Sequence, residues 1–200
     1  MIDKSAQLYD LFMIKTDTDC YPESRLPEGY SFVFYNSGDE RKWARLEVEL
    51  GQFDSVEDGV ECFKKEFLTD QSLRPEDRML FVKAPDGEYV ATLTLWNGNH
   101  FGREYQRAHW LAVSDKCAGK GIAKALLSRV LQLYNELGFK DFIYLVTGSW
   151  FYPAIFIYRK YGFKEYTEAK SLLPNVSDSD FAENTRKCIE YVDMKLAEFK

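Results

Sequence analysis

Leu111-Ala112-Val113-Ser114-Asp115-Lys116-Cys117-Ala118-Gly119-Lys120-Gly121-Ile122-Ala123-Lys124-Ala125-Leu126-Leu127 is the stretch of this 200-residue chain that decides its fold. It runs from an apolar strand candidate, Arg107 to Val113, straight into a helix that begins at Gly119. Ile122, Leu126, Val130, Leu133 and Leu137 share one face of that helix, and Gly138 supplies its stop. Glycines at a strand-to-helix junction permit positive φ and close backbone approach. Consecutive N–H groups and the positive end of the helix dipole can then converge on a phosphate. Lys116, Lys120 and Lys124 add charge nearby. Two familiar phosphate loops do not fit. A Walker A loop needs Ser or Thr after its Gly-Lys, and Gly121 follows Lys120. The dinucleotide pattern started at Gly119 needs Gly or Ala where Lys124 stands.

Outward from this junction, Asp141 to Thr147 is apolar at five consecutive positions, Phe142 to Val146, which predicts a strand buried on both faces. A short helix follows, with Pro153 in its first turn and Gly162 just past its end, and Phe163 opens another strand. Residues 168–187, with Pro174, Asn175 and a Ser/Asp run, read as a loop, and Ile189 to Leu196 as a closing strand. Toward the N-terminus, Leu8 to Ile14 and Ser31 to Tyr35 are extended candidates. Trp43, Leu46 and Leu50 fall at helical spacing between Gly38 and Leu50. Ser55 with Asp58 starts a second helix whose apolar face is Val60, Phe63, Phe67 and Leu68. Met79 to Lys83 and Glu88 to Asn97 flank Ala84-Pro85-Asp86-Gly87, a hairpin signal.

The bulk properties bound the function. A chain that is 46% apolar and 16% aromatic can bury a sizeable core, and no run of about 18 apolar residues occurs. Met1-Ile2-Asp3-Lys4 lacks a leader pattern, so a soluble cytoplasmic protein without membrane attachment is expected. Cys20, Cys62, Cys117 and Cys188 stand far apart with no C-x-x-C pair, which predicts free thiols and no metal site. A net charge of −6 argues against nonspecific nucleic-acid binding. Residues 1–100 carry 11 basic and 20 acidic side chains, whereas residues 101–200 carry 15 and 12.

A second motif, Ala154-Ile155-Phe156-Ile157-Tyr158-Arg159-Lys160-Tyr161-Gly162-Phe163, follows the glycine-lysine junction across one strand. Together the two resemble motifs A (Q/R-x-x-G-x-G/A) and B (A-x-x-x-Y-x-x-x-G-F) of the GNAT superfamily of acyl-CoA N-acetyltransferases. The resemblance covers about residues 79–163, and the order of elements extends it over residues 1–200 as a single domain. It implies an α/β (α+β) fold, with a mixed, mostly antiparallel central sheet flanked by helices. It also implies acetyl-CoA as cosubstrate, no metal, and direct transfer to an amine. The pyrophosphate would lie on the loop of Ala118, Gly119, Lys120, Gly121, Ile122, Ala123 and Lys124. The pantetheine arm would pair with the backbone of Leu111, Ala112 and Val113, freed by a bulge, in the cleft between Arg107–Val113 and Asp141–Thr147. Ala118 departs from the family's Q/R, and Phe151 stands where many relatives carry Asn.

The resemblance makes Tyr158 the general acid for the leaving thiolate. A tyrosine pKa of about 10 against about 8.5 for a thiol permits that transfer, with a core tyrosine as the alternative. His109, in His109-Trp110-Leu111-Ala112-Val113, is similar to a relay histidine of the arylalkylamine acetyltransferase branch, although Arg107 replaces that branch's second histidine. The alternative is a satisfied or strand-edge histidine, with Glu104, Glu47 and Glu49 in reserve, while His100 reads as a surface loop residue and Cys117 as incidental. Glu47, Glu49, Asp54, Glu57, Asp58, Glu61 and Glu66 belong to the region that walls the acceptor side in the family. They point to a cationic small-molecule or peptide amine, or else to a solvated face. The chain is expected to be a monomer or homodimer. A non-catalytic acyl-CoA-binding or sensor module on the same fold is the rival reading.

Overall fold

The computed structural model describes residues 7–70 and 72–198; Met1 to Lys4, expected to carry no leader, lie outside the described residues. The element order is β1 (Asp10–Lys15), β2 (Ser31–Phe34), α1 (Glu40–Glu49), α2 (Val56–Phe67), α3 (Pro75–Arg78), β3 (Met79–Lys83) and β4 (Tyr89–Gly98). There follow β5 (Tyr105–Val113), α4 (Ile122–Glu136), β6 (Ile143–Gly148), α5 (Tyr152–Lys160), β7 (Lys164–Glu165) and α6 (Asp178–Ala197). The strands form one seven-stranded sheet in the order β2-β3-β4-β5-β6-β1-β7. The β1–β6, β1–β7, β2–β3 and β3–β4 pairs are antiparallel, and β5 meets β6 in parallel at Arg107↔Tyr144. This is the mixed, mostly antiparallel α/β architecture expected from the sequence.

The chain divides into two compact units, one of Glu23–Trp96 and Ala108–Phe139, the other of residues up to Pro22, Asn97–Arg107 and residues from Lys140 onward. In the first, the α1–α2 hairpin closes over an aromatic core of Tyr35, Trp43, Phe63, Phe67, Phe81 and Trp96. Ser55 starts α2 as the spacing predicts, its side chain accepting from the Asp58 N–H. α4 buries Ile122, Leu126, Val130 and Leu133 on one side, and Gly138 ends it with φ +77°.

In the second unit, Phe12, Tyr144 and Phe181 pack with Phe101, Phe142 and Tyr166. Three expectations change here. Residues 178–197 form the helix α6 rather than a loop and a final strand. Ser177 caps it by accepting from the Asp180 N–H, and Phe181, Thr185, Cys188 and Val192 recur at helical spacing on its buried side. The Ser/Asp run is thus a helix start. The strand after Phe163 is only two residues long. Finally, β6 is not buried on both faces: Ile143, Tyr144 and Leu145 are enclosed, but Val146 is 37% exposed.

Candidate active site

At the β5–α4 junction, Gly119 and Gly121 adopt φ +75° and +79°, a left-handed backbone that side chains oppose. A Cβ placed on either would meet nothing within 4 Å, so the space above both residues is open. Gly121 is the N-cap of α4; it offers no side-chain cap, and the first turn holds no acidic residue. α2 and α6 differ, each capped by a serine and carrying two acidic residues in its first turn. The first N–H groups of a helix lack intrahelical partners, so α4 presents an uncompensated positive end to an incoming anion. Ala118, Gly119, Lys120 and Lys124 are exposed, Gly121 and Ala123 half-buried, and Ile122 anchors the turn from beneath. Lys120 Nζ donates to the Tyr30 hydroxyl at 3.1 Å. Cys117 is buried, with its sulfur 3.8 Å from the same hydroxyl.

Upstream, β5 carries Leu111 and Val113 half-buried and Ala112 buried. Trp110 has φ +56°, a costly conformation for a bulky side chain, which interrupts the regular strand just before these residues. Beside the loop lies a cleft of about 400 Å³ bordered by Tyr30, Asp86, Tyr89, Ser114 and Lys120. Glu49, one of the reserve bases, borders it too and accepts from Ser114 Oγ at 2.5 Å.

One residue back along the strand from Trp110, His109 Nε2 lies 2.7 Å from Glu66 Oε1 of α2, with side chains 20% and 32% exposed. Phe67 and Trp110 flank the imidazole, their ring centroids 5.9 and 5.7 Å away. Glu47 of α1 is 2% exposed, and its Oε1 has no hydrogen-bond partner. Burial pushes its carboxyl up to about 8. Burial also raises the Cys62 thiol, and Glu66 and Glu47 add to that effect. Of the acidic set, Glu47 is buried and Glu66 half-buried; Glu49 is exposed yet accepts from Ser114, and Asp54, Glu57, Asp58 and Glu61 are exposed, with Glu57 bonded to Arg41. Glu104 is exposed as well.

Two partnerships had no signature in the sequence. Glu66 stood in the acidic set without a link to His109. His100, expected on the surface, is half-buried: its Nδ1 lies 2.8 Å from the Tyr144 hydroxyl and its ring is 5.2 Å from Phe12. Burial and then the charge of Arg107 lower its pKa. The signal lay in Gly98, where any Cβ would collide with the Tyr144 hydroxyl.

Tyr158 belongs to the unit that contains α5, and the glycine loop and His109 belong to the other unit. It is 7% exposed, burial raises its hydroxyl well above the ordinary tyrosine value, and its ring is 6.0 Å from Phe163. Phe151 ends a short 3-10 turn just before α5. Among the described residues, no group of three or more His, Cys, Asp or Glu side chains is disposed to hold a metal ion. Among them, too, no helix is long and apolar enough to cross a membrane.

The sequence model of the acetyltransferase (GNAT) family matches residues 43–163, reaching back through α1 and α2 to the aromatic core. The chain belongs to the GNAT acetyltransferase family. A 64-residue stretch of this GNAT chain is 42% identical to N-acetyltransferase family 8 member 2 of Rattus norvegicus, covering 32% of the chain and 28% of that protein. In three dimensions it is similar to a GCN5-related N-acetyltransferase from Sphaerobacter thermophilus, with TM-score 0.61 and 21% identity over 80% of this chain and 50% of that one. It is also similar to a tandem GNAT protein from the clavulanic acid biosynthesis pathway, with TM-score 0.58 and 17% identity over 79% and 50% of the two chains. The GNAT chain therefore spans about half the length of these solved structures.

Proposed function

We propose that this GNAT protein moves the acetyl group of acetyl-CoA directly onto a primary amine, a cationic small molecule or a lysine-bearing peptide, and that it does so in the cytoplasm. The observation that carries the reading is the uncapped start of α4, with two left-handed glycines under open space, in a chain of this family. The backbone N–H groups of that turn would bind the pyrophosphate, with Lys116, Lys120 and Lys124 supplying charge. The backbone of Leu111, Ala112 and Val113 would hold the pantetheine arm and donate to the developing oxyanion.

An ammonium with a pKa of about 10 must lose its proton before attack, and His109 is the base in this reading. The freed nitrogen lone pair then bonds to the thioester carbon, the C–S bond breaks with its electrons on sulfur, and Tyr158 protonates the thiolate. Glu66, half-buried beside His109, favours a positively charged acceptor. The test is thiol release from acetyl-CoA across a panel of amines that includes polyamines, aryl amines, lysine peptides and acidic amino acids. Release with cationic amines is the expected result. Acetyl-CoA binding without turnover on any of them would replace the enzyme by a sensor module.

A further inference from the structure

The cleft beside the glycine turn takes its walls from separate stretches of one compact unit: the turn before β2, the end of α1, the β3–β4 hairpin and the β5–α4 junction. Its volume of about 400 Å³ lies within the range of small-molecule pockets, about 300–1,000 Å³. The walls are fixed by close packing and backbone hydrogen bonds. A Cβ on Gly29 would come within 2.9 Å of Pro85, so the turn that carries Tyr30 rests directly on the hairpin. The Ala84 N–H donates to the Glu88 carbonyl and the Ser114 N–H to the Val90 carbonyl, each at 2.8 Å.

The polar groups on these walls are held as well. The Tyr30 hydroxyl accepts from Lys120 Nζ at 3.1 Å. An ammonium only donates, so the phenol's own hydrogen is left for Cys117 Sγ at 3.8 Å or for a ligand oxygen. Glu49 is held by the Ser114 hydroxyl, and a carboxylate so placed accepts from amino or hydroxyl groups. Asp86 is engaged within the hairpin, where it accepts from the Glu88 N–H. Lys42 lies 4.0 Å from the centroid of the Tyr89 ring and Phe81 meets that ring edge-on, which leaves Tyr30 as the ring for a flat base to stack on. Lys120 stands between the two left-handed glycines, so the cleft begins where the phosphate-binding turn ends.

We propose that this cleft is a nucleoside-phosphate subsite, in which the base stacks on Tyr30, an amino or hydroxyl group donates to Glu49 and a phosphate pairs with Lys120. Two molecules carry that chemistry: the nucleotide end of acyl-CoA and a free nucleotide. The first source rests on the cofactor reading above, because in acyl-CoA the nucleoside follows directly on the pyrophosphate.

The experiment is calorimetry with AMP and ribose 5-phosphate as probes, on wild type, Tyr30→Ala and Glu49→Ala. The glycine turn by itself would hold the phosphate of either probe equally, so a gap between them reads the cleft. AMP should bind the wild type roughly tenfold or more tighter than ribose 5-phosphate. Tyr30→Ala should close most of that gap and Glu49→Ala part of it, while the retained affinity for ribose 5-phosphate reports that the turn is intact. Equal affinity for the two probes in the wild type, or a gap that either variant leaves unchanged, overturns the subsite. Repeating the AMP titration at saturating acetyl-CoA separates the sources. Lost binding assigns the cleft to the cofactor's own nucleotide end, and retained binding assigns it to a free nucleotide. A protein that binds AMP in this pattern but takes no acetyl-CoA overturns the cofactor reading and leaves the subsite standing.

Discussion

A carboxyl group taken out of water keeps its proton to higher pH, and the side chain of Glu47 shows the consequence for stability. Its carboxyl moves from the ordinary 4.5 to about 8 on folding, so between those values the folded chain holds a proton that the unfolded chain has released. The stability that Glu47 contributes is fully present below about pH 4.5, falls as the pH rises toward 8, and levels off above. The loss is on the order of a few kcal/mol. Urea titrations at pH 5 and pH 9 should show that difference in the wild type and much less of it in Glu47→Gln; equal differences would mean that Glu47 is ionised in the fold. Tyr158 is the other residue whose burial matters, because a raised hydroxyl stays protonated at neutral pH and remains a donor. Tyr158→Phe should lower kcat by roughly 10²-fold with CoA affinity retained. Wild-type turnover would return Tyr158 to the core. His109 and Tyr158 were candidates because each sits inside a short motif. The pairing of Glu66 with His109 was not legible, since nothing local ties α2 to β5.

At the scale of elements, the β5–α4 turn and helix α6 make a useful contrast. The glycine-lysine junction was legible because its backbone requirement, positive φ at a helix start, selects glycine directly. Gly121→Ala should destabilise the fold by about 1–2 kcal/mol through the left-handed backbone. It should also weaken CoA binding in calorimetry of the folded mutant; unchanged affinity would move the phosphate site elsewhere. α6 was misread because apolar residues crowd the short run from Ile189 to Leu196, while its buried stripe of Phe181, Thr185, Cys188 and Val192 includes a threonine and a cysteine. Ser177→Ala removes the cap and should cost about 1 kcal/mol, seen as a lower Tm. An unmoved Tm would mean that packing alone sets where this helix begins. The sheet order was also beyond the sequence: β1 read as a strand, yet its place between β6 and β7 depends on pairings such as Leu11↔Thr147 across most of the chain.

Across the whole molecule the charge is −6, and Asp54, Glu57, Asp58 and Glu61 meet solvent. Exposed charges of this kind act at range and are screened beyond roughly 8 Å at about 0.15 M ionic strength. For a cationic acceptor, kcat/KM should therefore fall as salt rises. A flat salt profile, or preference for an anionic acceptor, would remove charge from the account of acceptor choice. The architecture also supplies its own optical probe. Trp43 and Trp110 lie with ring centroids 5.0 Å apart and planes at 78°, two of only four tryptophans in the chain. Indoles so close and so crossed couple their electronic transitions, so circular dichroism should show a two-signed band that Trp110→Phe abolishes. Because Trp110 follows His109 directly and its ring lies 5.7 Å from the imidazole, that band should change as an amine arrives, giving a label-free titration of the acceptor end.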